Sequence, residues 1–127
     1  MHILDYLLQF RWHILPMLNP DGYVYTFTKD RFWSKNRRPG EICSGVNINR
    51  NFPIYFGKGP KDECHRSYIG SHPASEPEVQ AVLEYSQDFL TEKTIMVWTL
   101  HSFGQVFFLP YAGSPKSQHP DYEVIKI

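Results

Sequence analysis

Between Cys43 and Cys64 the chain carries Gly45-Val46-Asn47-Ile48-Asn49-Arg50-Asn51-Phe52, a stretch that fits neither a plain loop nor a plain strand. A solvated loop has no use for Val46 and Ile48. A buried strand would leave three Asn amides and a guanidinium without water, which is costly unless each finds a partner. A half-buried segment that turns its polar groups into a cleft satisfies both demands. Arg offers a planar fork that meets a carboxylate with two parallel hydrogen bonds, and a neighbouring Asn amide adds a donor. Asn49-Arg50 therefore has two readings at this point. Either the pair is a clamp for a carboxylate, or Arg50 is tied to a local Asp or to backbone carbonyls.

The surroundings of that stretch, residues 39 to 72, contain no long periodic run and are rich in Gly, Pro and Asn. Long loops without regular elements are uncommon unless they serve a function, and this one would carry the clamp. The chain's two cysteines flank it. Paired, they would close the loop, contribute roughly 3 kcal/mol in the chain-entropy treatment and imply an oxidising compartment. Unpaired, they are two unrelated buried thiols.

On the N-terminal side, apolar residues at 3, 4, 7, 8 and 10 give His2 to Phe10 a helical spacing. Trp12 to Leu18 reads as a buried strand that ends at the turn-forming run Asn19-Pro20-Asp21-Gly22. A short helix and irregular chain follow, with Tyr23, Tyr25, Phe27, Phe32 and Trp33. Arg31 and Trp33 read as structural anchors, and Lys35, Arg37 and Arg38 as a mostly solvated face. On the C-terminal side, Ser75 reads as a helix N-cap with Pro77 in the first turn and Glu78 completing a capping box. That assigns Glu76 and Glu78 to capping rather than catalysis. Val79, Val82, Leu83, Ser86 and Phe89 or Leu90 keep one face largely apolar. Thr94 to Leu100 is rich in β-branched and aromatic residues and reads as a strand buried on both faces, with His101 at its carboxyl end, where sites collect in open α/β sheets. Position alone leaves His101 as a core histidine or a metal ligand. Val106 to Leu109 reads as a second strand.

Composition narrows the function classes. At 127 residues the chain is one domain or part of one. Lys plus Arg and Asp plus Glu number 13 each, so no basic face for nucleic acid is implied. No run approaches the ~20 apolar residues of a membrane span. Met1 to Tyr6 lacks a basic start and an uninterrupted apolar region, so no signal peptide is read there.

Four stretches fall in a fixed order: Leu18-Asn19-Pro20-Asp21-Gly22-Tyr23, Asp30-Arg31-Phe32-Trp33-Ser34-Lys35-Asn36-Arg37, Gly45 to Phe52, and His101-Ser102-Phe103-Gly104-Gln105 running on to Pro110-Tyr111. Together they resemble the zinc metallocarboxypeptidases of the carboxypeptidase A/B type, from about Trp12 to Tyr111. The resemblance implies an α/β fold with a mixed central β-sheet flanked by helices. It implies that residues 1–127 are part of a single peptidase catalytic domain, without its N-terminal and C-terminal portions. The implied activity is zinc-dependent removal of C-terminal residues from peptides by a secreted, monomeric enzyme whose partners are peptide or protein C-termini. It implies one zinc ion with His101 as third ligand, the other two coming from an H-x-x-E motif upstream of Met1. His2-Ile3-Leu4-Asp5, despite its H-x-x-acid spacing, is not that motif. The general base is expected beyond Ile127, so no catalytic residue is assigned in this chain, which alone should be inactive. Asn49 and Arg50 align with the pair that holds the terminal carboxylate, Ser102 and Phe103 with the cleft wall beside the metal, and Cys43 and Cys64 with a disulfide.

Three positions depart from the family pattern. Ser34 stands where an Arg usually stabilises the oxyanion, and losing one such donor typically costs about 10²–10³ in rate. Asn47 stands where an Asp commonly supports a zinc histidine, a loss on the order of 10–100-fold in metal affinity. Phe103 replaces a common Tyr. These departures motivate an alternative, a non-catalytic relative that still binds peptide C-termini.

Overall fold

A computed structural model describes residues 3–90, 94, 96–111, 117, 119, 120 and 122. They fall into two compact units, Met1–Tyr85 and Ser86–Ile127. The regular elements are four helices: α1 (Ile3–Leu7), α2 (Pro20–Thr28), α3 (Ile48–Asn51) and α4 (Pro77–Leu90). None of them is long and apolar enough to cross a membrane.

The expected α/β architecture is not what the described residues form. No strand is present among them: residues 12–18, 96–100 and 106–109 run without a β-ladder. The reason lies in what a strand is. β-Propensity reports how well a side chain fits a pleated, half-buried surface, and a strand gains stability only by pairing with neighbours. Here Ile14, Leu15, Val97, Leu100, Phe107 and Phe108 are exposed. Local contacts take the place of a sheet. In the first unit, His13 Nδ1 and the Tyr85 hydroxyl lie 2.6 Å apart, which fastens segment 12–18 to α4. In the second unit, the Trp98 and Phe107 rings meet edge-on at 6.4 Å, and the Trp98 indole donates to the Met96 sulfur.

α2 starts inside the run expected to be a turn. Asn19 Oδ1 accepts the Gly22 N–H at 2.9 Å, and Pro20 occupies the first helical position. Asn before Pro-Asp supplies a cap, a preset φ and an acid at the positive end of the helix dipole, so the same residues that favour a turn open a helix equally well. α1 forms where its spacing predicts, as a short helix with Ile3, Leu4 and Leu7 exposed. His2 lies outside the described residues, as does Thr91 to Lys93.

The core of the first unit is as polar as it is apolar. Val46, Ile48, Ile69 and Val79 are buried together with Lys35, Asn36, Asn51 and Glu76. Among the described residues no buried side-chain polar atom lacks a hydrogen bond, as burial of polar groups requires. Glu76 is the hub. Its carboxylate accepts from Asn36 Nδ2 at 2.6 Å, Arg38 Nη1 at 2.8 Å and the Ser75 hydroxyl at 2.7 Å. Two sequence expectations are corrected here. Glu76 is a buried, paired carboxylate rather than a capping one, and α4 opens at Pro77 with the Val79 and Gln80 N–H groups both on the Glu76 carbonyl. Of the cations expected to form a mostly solvated face, Arg38 is exposed but Lys35 is not. Lys35 is buried with its ammonium on the Glu63 carbonyl at 2.8 Å, and Arg38 is committed to Glu76.

The loop between the cysteines is shaped by backbone pairing. The Asn36 N–H reaches the Val46 carbonyl at 2.9 Å, and the Gly45 N–H reaches the Arg38 carbonyl at 2.8 Å. Gly45 has φ +89°, and a Cβ there would meet the Asn36 oxygen at 2.4 Å, so only glycine fits this approach.

Candidate functional site

The stretch that resisted assignment from sequence folds as a single helical turn. Val46 and Ile48 are buried, Asn49 and Arg50 are exposed, and Asn51 is buried again. Ile48 and Asn51, three residues apart, share the inward face of α3. The polar–apolar interleaving of the sequence is thus resolved as a half-buried turn that presents Asn49 and Arg50 outward.

α3 is held at both ends. At its start, the Asn47 N–H bonds the Tyr68 carbonyl at 2.9 Å, and the Asn47 side-chain amide reaches the Arg66 carbonyl at 3.4 Å instead of capping the helix. At its end, Asn51 Nδ2 donates to the Ile69 and His72 carbonyls at 2.9 and 3.0 Å and to the Ser75 hydroxyl at 2.9 Å. Asn51 Oδ1 accepts the Glu76 N–H at 3.1 Å. Asn51 is the residue that sequence reasoning passed over. Its register becomes a signal once the stretch is helical, because an amide three positions after Ile48 then shares the face of Ile48.

No hydrogen bond or ion pair engages the guanidinium of Arg50 among the described residues. Of the two readings left open by sequence, the tie to a local Asp or to carbonyls is therefore not the one adopted. Cys43 and Cys64 are joined in a disulfide, so the loop that presents α3 is closed covalently.

Three charged groups near the loop are shifted by their surroundings. Burial pushes the Lys35 ammonium below its ordinary value, against the opposing pull of nearby Glu63. The Glu63 carboxyl is held below the usual carboxylate range, first by the Ile42 N–H and then by the Cys43 and Glu41 N–H groups. For Glu76, burial pushes the carboxyl up, but the Ser75, Asn36 and Arg38 hydrogen bonds outweigh it and hold the group below its ordinary value.

Ser34, which stands where a cation was expected, donates its hydroxyl to the Arg66 carbonyl at 3.0 Å. That same carbonyl receives the Asn47 amide, so the two departures from the family pattern meet on one acceptor. The second unit carries the remaining candidates. His101, Ser102 and Phe103 are all exposed, and the Ser102–Phe103 peptide is cis. Among the described residues no group of three or more His, Cys, Asp or Glu assembles a metal site. A catalytic zinc takes three protein ligands, so His101 would hold one only together with two others.

Known proteins match this chain along most of its length. The family described as zinc carboxypeptidase matches residues 2–127. Carboxypeptidase A4 of Mus musculus is 42% identical over 114 residues, covering 87% of this chain and 26% of that protein. Carboxypeptidase O of Homo sapiens is 36% identical over 116 residues, covering 87% of this chain and 31% of that protein. Among solved structures, bovine thrombin-activatable fibrinolysis inhibitor in complex with tick carboxypeptidase inhibitor aligns with TM-score 0.57 and 40% identity, over 61% of this chain and 28% of that one. The chain thus spans between a quarter and a third of the length of these relatives. The match of nearly every residue, on top of the ordered motifs that carry α2, α3 and the disulfide, makes the conclusion direct: the chain belongs to the zinc carboxypeptidase family.

Proposed function

We propose that this chain supplies the carboxylate-recognition part of a zinc-dependent carboxypeptidase that removes C-terminal residues from peptides in the extracellular space. Arg50 and Asn49 receive the free C-terminal carboxylate of the substrate, and His101 donates to the zinc. The Cys43–Cys64 bridge agrees with an oxidising compartment. Ser102 and Phe103 form the wall of the cleft next to the metal, and the protein acts as a monomer.

One observation carries the reading. Arg50 is exposed on a turn whose inner face is fastened by Asn51, and none of the described residues uses its donors. A guanidinium fixed at its base and open at its tip suits bidentate capture of a carboxylate. The test is equilibrium binding of a short peptide with a free C-terminus against the same peptide amidated. The free acid should bind, the amide should not, and Arg50→Ala should erase the difference. A charge-assisted pair at about 1.5–3 kcal/mol corresponds to roughly 10- to 150-fold in affinity. An unchanged preference in Arg50→Ala would sink the clamp.

The neutral pair Ser34 and Asn47 favours a second reading, a non-catalytic relative that binds peptide C-termini. Both side chains are occupied by the Arg66 carbonyl and neither offers a charge. The two readings separate in the Ser34→Arg variant of the full-length catalytic domain, since these 127 residues alone are expected to be inactive. A gain in peptide cleavage supports the enzyme, and binding without cleavage in both forms supports the non-catalytic relative.

A further inference from the structure

A hollow of about 390 Å³ beside the Cys43–Cys64 bridge has walls that the carboxylate clamp does not use. Tyr25, Trp33, Ser34, Lys35, Arg37 and Arg66 contribute to its lining, and Arg50 does not.

Arg37 is the best-fixed cation of this wall. Its guanidinium carbon lies 3.8 Å from the centre of the Tyr25 ring and 4.7 Å from that of Trp33. The two rings pack edge to face at 4.8 Å, and the Trp33 indole is anchored on the Asn36 carbonyl at 3.1 Å. Stacking of this kind occupies the face of a guanidinium. Its five N–H donors lie in the plane and stay available for other partners. Among the described residues nothing accepts a hydrogen bond from them. The same holds for the guanidinium of Arg66, whose side chain is exposed. Lys35 adds positive charge although its ammonium is already on the Glu63 carbonyl. Asp30 supplies the lining's one carboxylate, and its Oδ1 already accepts the Phe32 N–H at 3.0 Å. The hollow therefore combines an excess of positive charge, a rigidly stacked fork with unpaired donors, and a second cation on an adjustable stem.

We propose that this hollow is an oxyanion-binding site that takes a tetrahedral phosphate or sulfate group, with Arg37 as the fixed fork and Arg66 as the second cation. Arg suits this role because its fork matches two oxygens of such an ion at once, and a stacked Arg loses little further freedom on binding. The group arrives either as a free inorganic ion or as an ester on an aromatic carrier. The hollow has room for more than a bare ion, and Tyr25, Phe32 and Trp33 give the extra space apolar walls.

The experiment is a titration of the whole chain with three probes, inorganic phosphate, inorganic sulfate and phenyl phosphate. It is followed by calorimetry and by the NMR signals of the Trp33 indole N–H and the Arg37 side chain. Saturable binding that perturbs both signals is expected. Arg66→Ala, a change at an exposed side chain, should weaken it tenfold or more. Arg37→Lys, which keeps the charge and loses the fork, should weaken it as well. Phenyl phosphate binding more tightly than inorganic phosphate assigns the site to an aromatic ester, and equal binding assigns it to the free ion. Arg50→Ala should leave phosphate affinity unchanged, and Arg66→Ala should leave the preference for free over amidated peptides unchanged. The proposal is overturned if no probe saturates, if Arg66→Ala binds as the parent does, or if Arg50→Ala abolishes phosphate binding. The last result would move the anion to the clamp. Should Arg37→Lys fail to fold, the Arg66→Ala result decides alone.

Discussion

Arg38 and Glu76 form an ion pair at 2.8 Å in which the Arg38 side chain is 47% exposed and the Glu76 side chain 0%. The pair is one-sided: the carboxylate has left water and the guanidinium has not. Exposed pairs contribute little, whereas removing one partner of a buried charge leaves the other uncompensated. Glu76→Ala should therefore cost more than Arg38→Ala. It strips acceptors from Asn36, Ser75 and Arg38 together, at about 1–3 kcal/mol for each group left unsatisfied, non-additively. Urea denaturation of the two variants measures the order, and equal losses would contradict the asymmetry.

Acid should weaken the first unit through the same carboxylate. Its hydrogen bonds outweigh burial and hold the Glu76 pKa below the ordinary value of 4.5. A carboxyl with a depressed folded-state pKa binds fewer protons folded than unfolded, so its contribution is full above the unfolded value and fades as pH falls through the folded one. Stability should hold near neutral pH and decline below about 4.5, the reference value for an unperturbed Glu. Glu63, depressed by its backbone N–H partners, acts in the same direction. Glu76→Gln should flatten part of that decline and Glu63→Gln another part, as read from melting temperatures across an acid pH series.

Asn51 is expected to govern the clamp without touching the ligand. Asn51→Ala removes the acceptor of the Glu76 N–H and the donor to the Ile69 and His72 carbonyls. The destabilisation should be about 1–3 kcal/mol or more. Peptide binding should weaken even though Arg50 is intact. Gly70→Ala strikes the same joint from the other side. Gly70 has φ +89°, and an added Cβ would lie 2.6 Å from Asn51 Nδ2 and 2.7 Å from the Ser75 hydroxyl. Hydrogen exchange at the amides of residues 48 to 51 should speed up in both variants, and unchanged protection would remove Asn51 from this role.

The disulfide should stabilise by an amount that grows with the logarithm of the length of the loop it closes. For a sequence separation of 21, the Cys43→Ser, Cys64→Ser double variant should lose roughly 3 kcal/mol. Denaturation in the presence and absence of reductant should give the same difference. A much smaller loss would mean that the backbone bonds of Asn36, Gly45 and Asn47 hold the loop without help.

Side-chain chemistry tied to short-range order was legible in the sequence. Val46 and Ile48 went inside, Asn49 and Arg50 outside, the long loop between the cysteines took no regular element beyond the single turn of α3, and Cys43 met Cys64 as the family resemblance implied. Each of these follows from contrasts between neighbouring residues or from ordered motifs. Thr94 to Leu100 was not legible in the same way. Its β-branched and aromatic residues state a preference, but a strand is a relation between two segments, and the described residues supply no partner. Asn19 to Gly22 misled for another reason. Turns and helix starts use the same capping amide, the same proline φ and the same acid. Lys35 misled because charge alone says solvent, while the Glu63 carbonyl that receives it lies 28 residues further along the chain.

The covalent loop also decides what a protease would leave behind. Arg50, Lys58 and Lys61 are exposed and all fall between the bridged cysteines. A single tryptic cut after any of them divides the backbone yet leaves both pieces in one molecule. Such a nick would pass unseen on a non-reducing gel and show as two bands once reductant is added. Damage at the clamp would thus show first as lost peptide binding, while the apparent mass of the protein stayed intact.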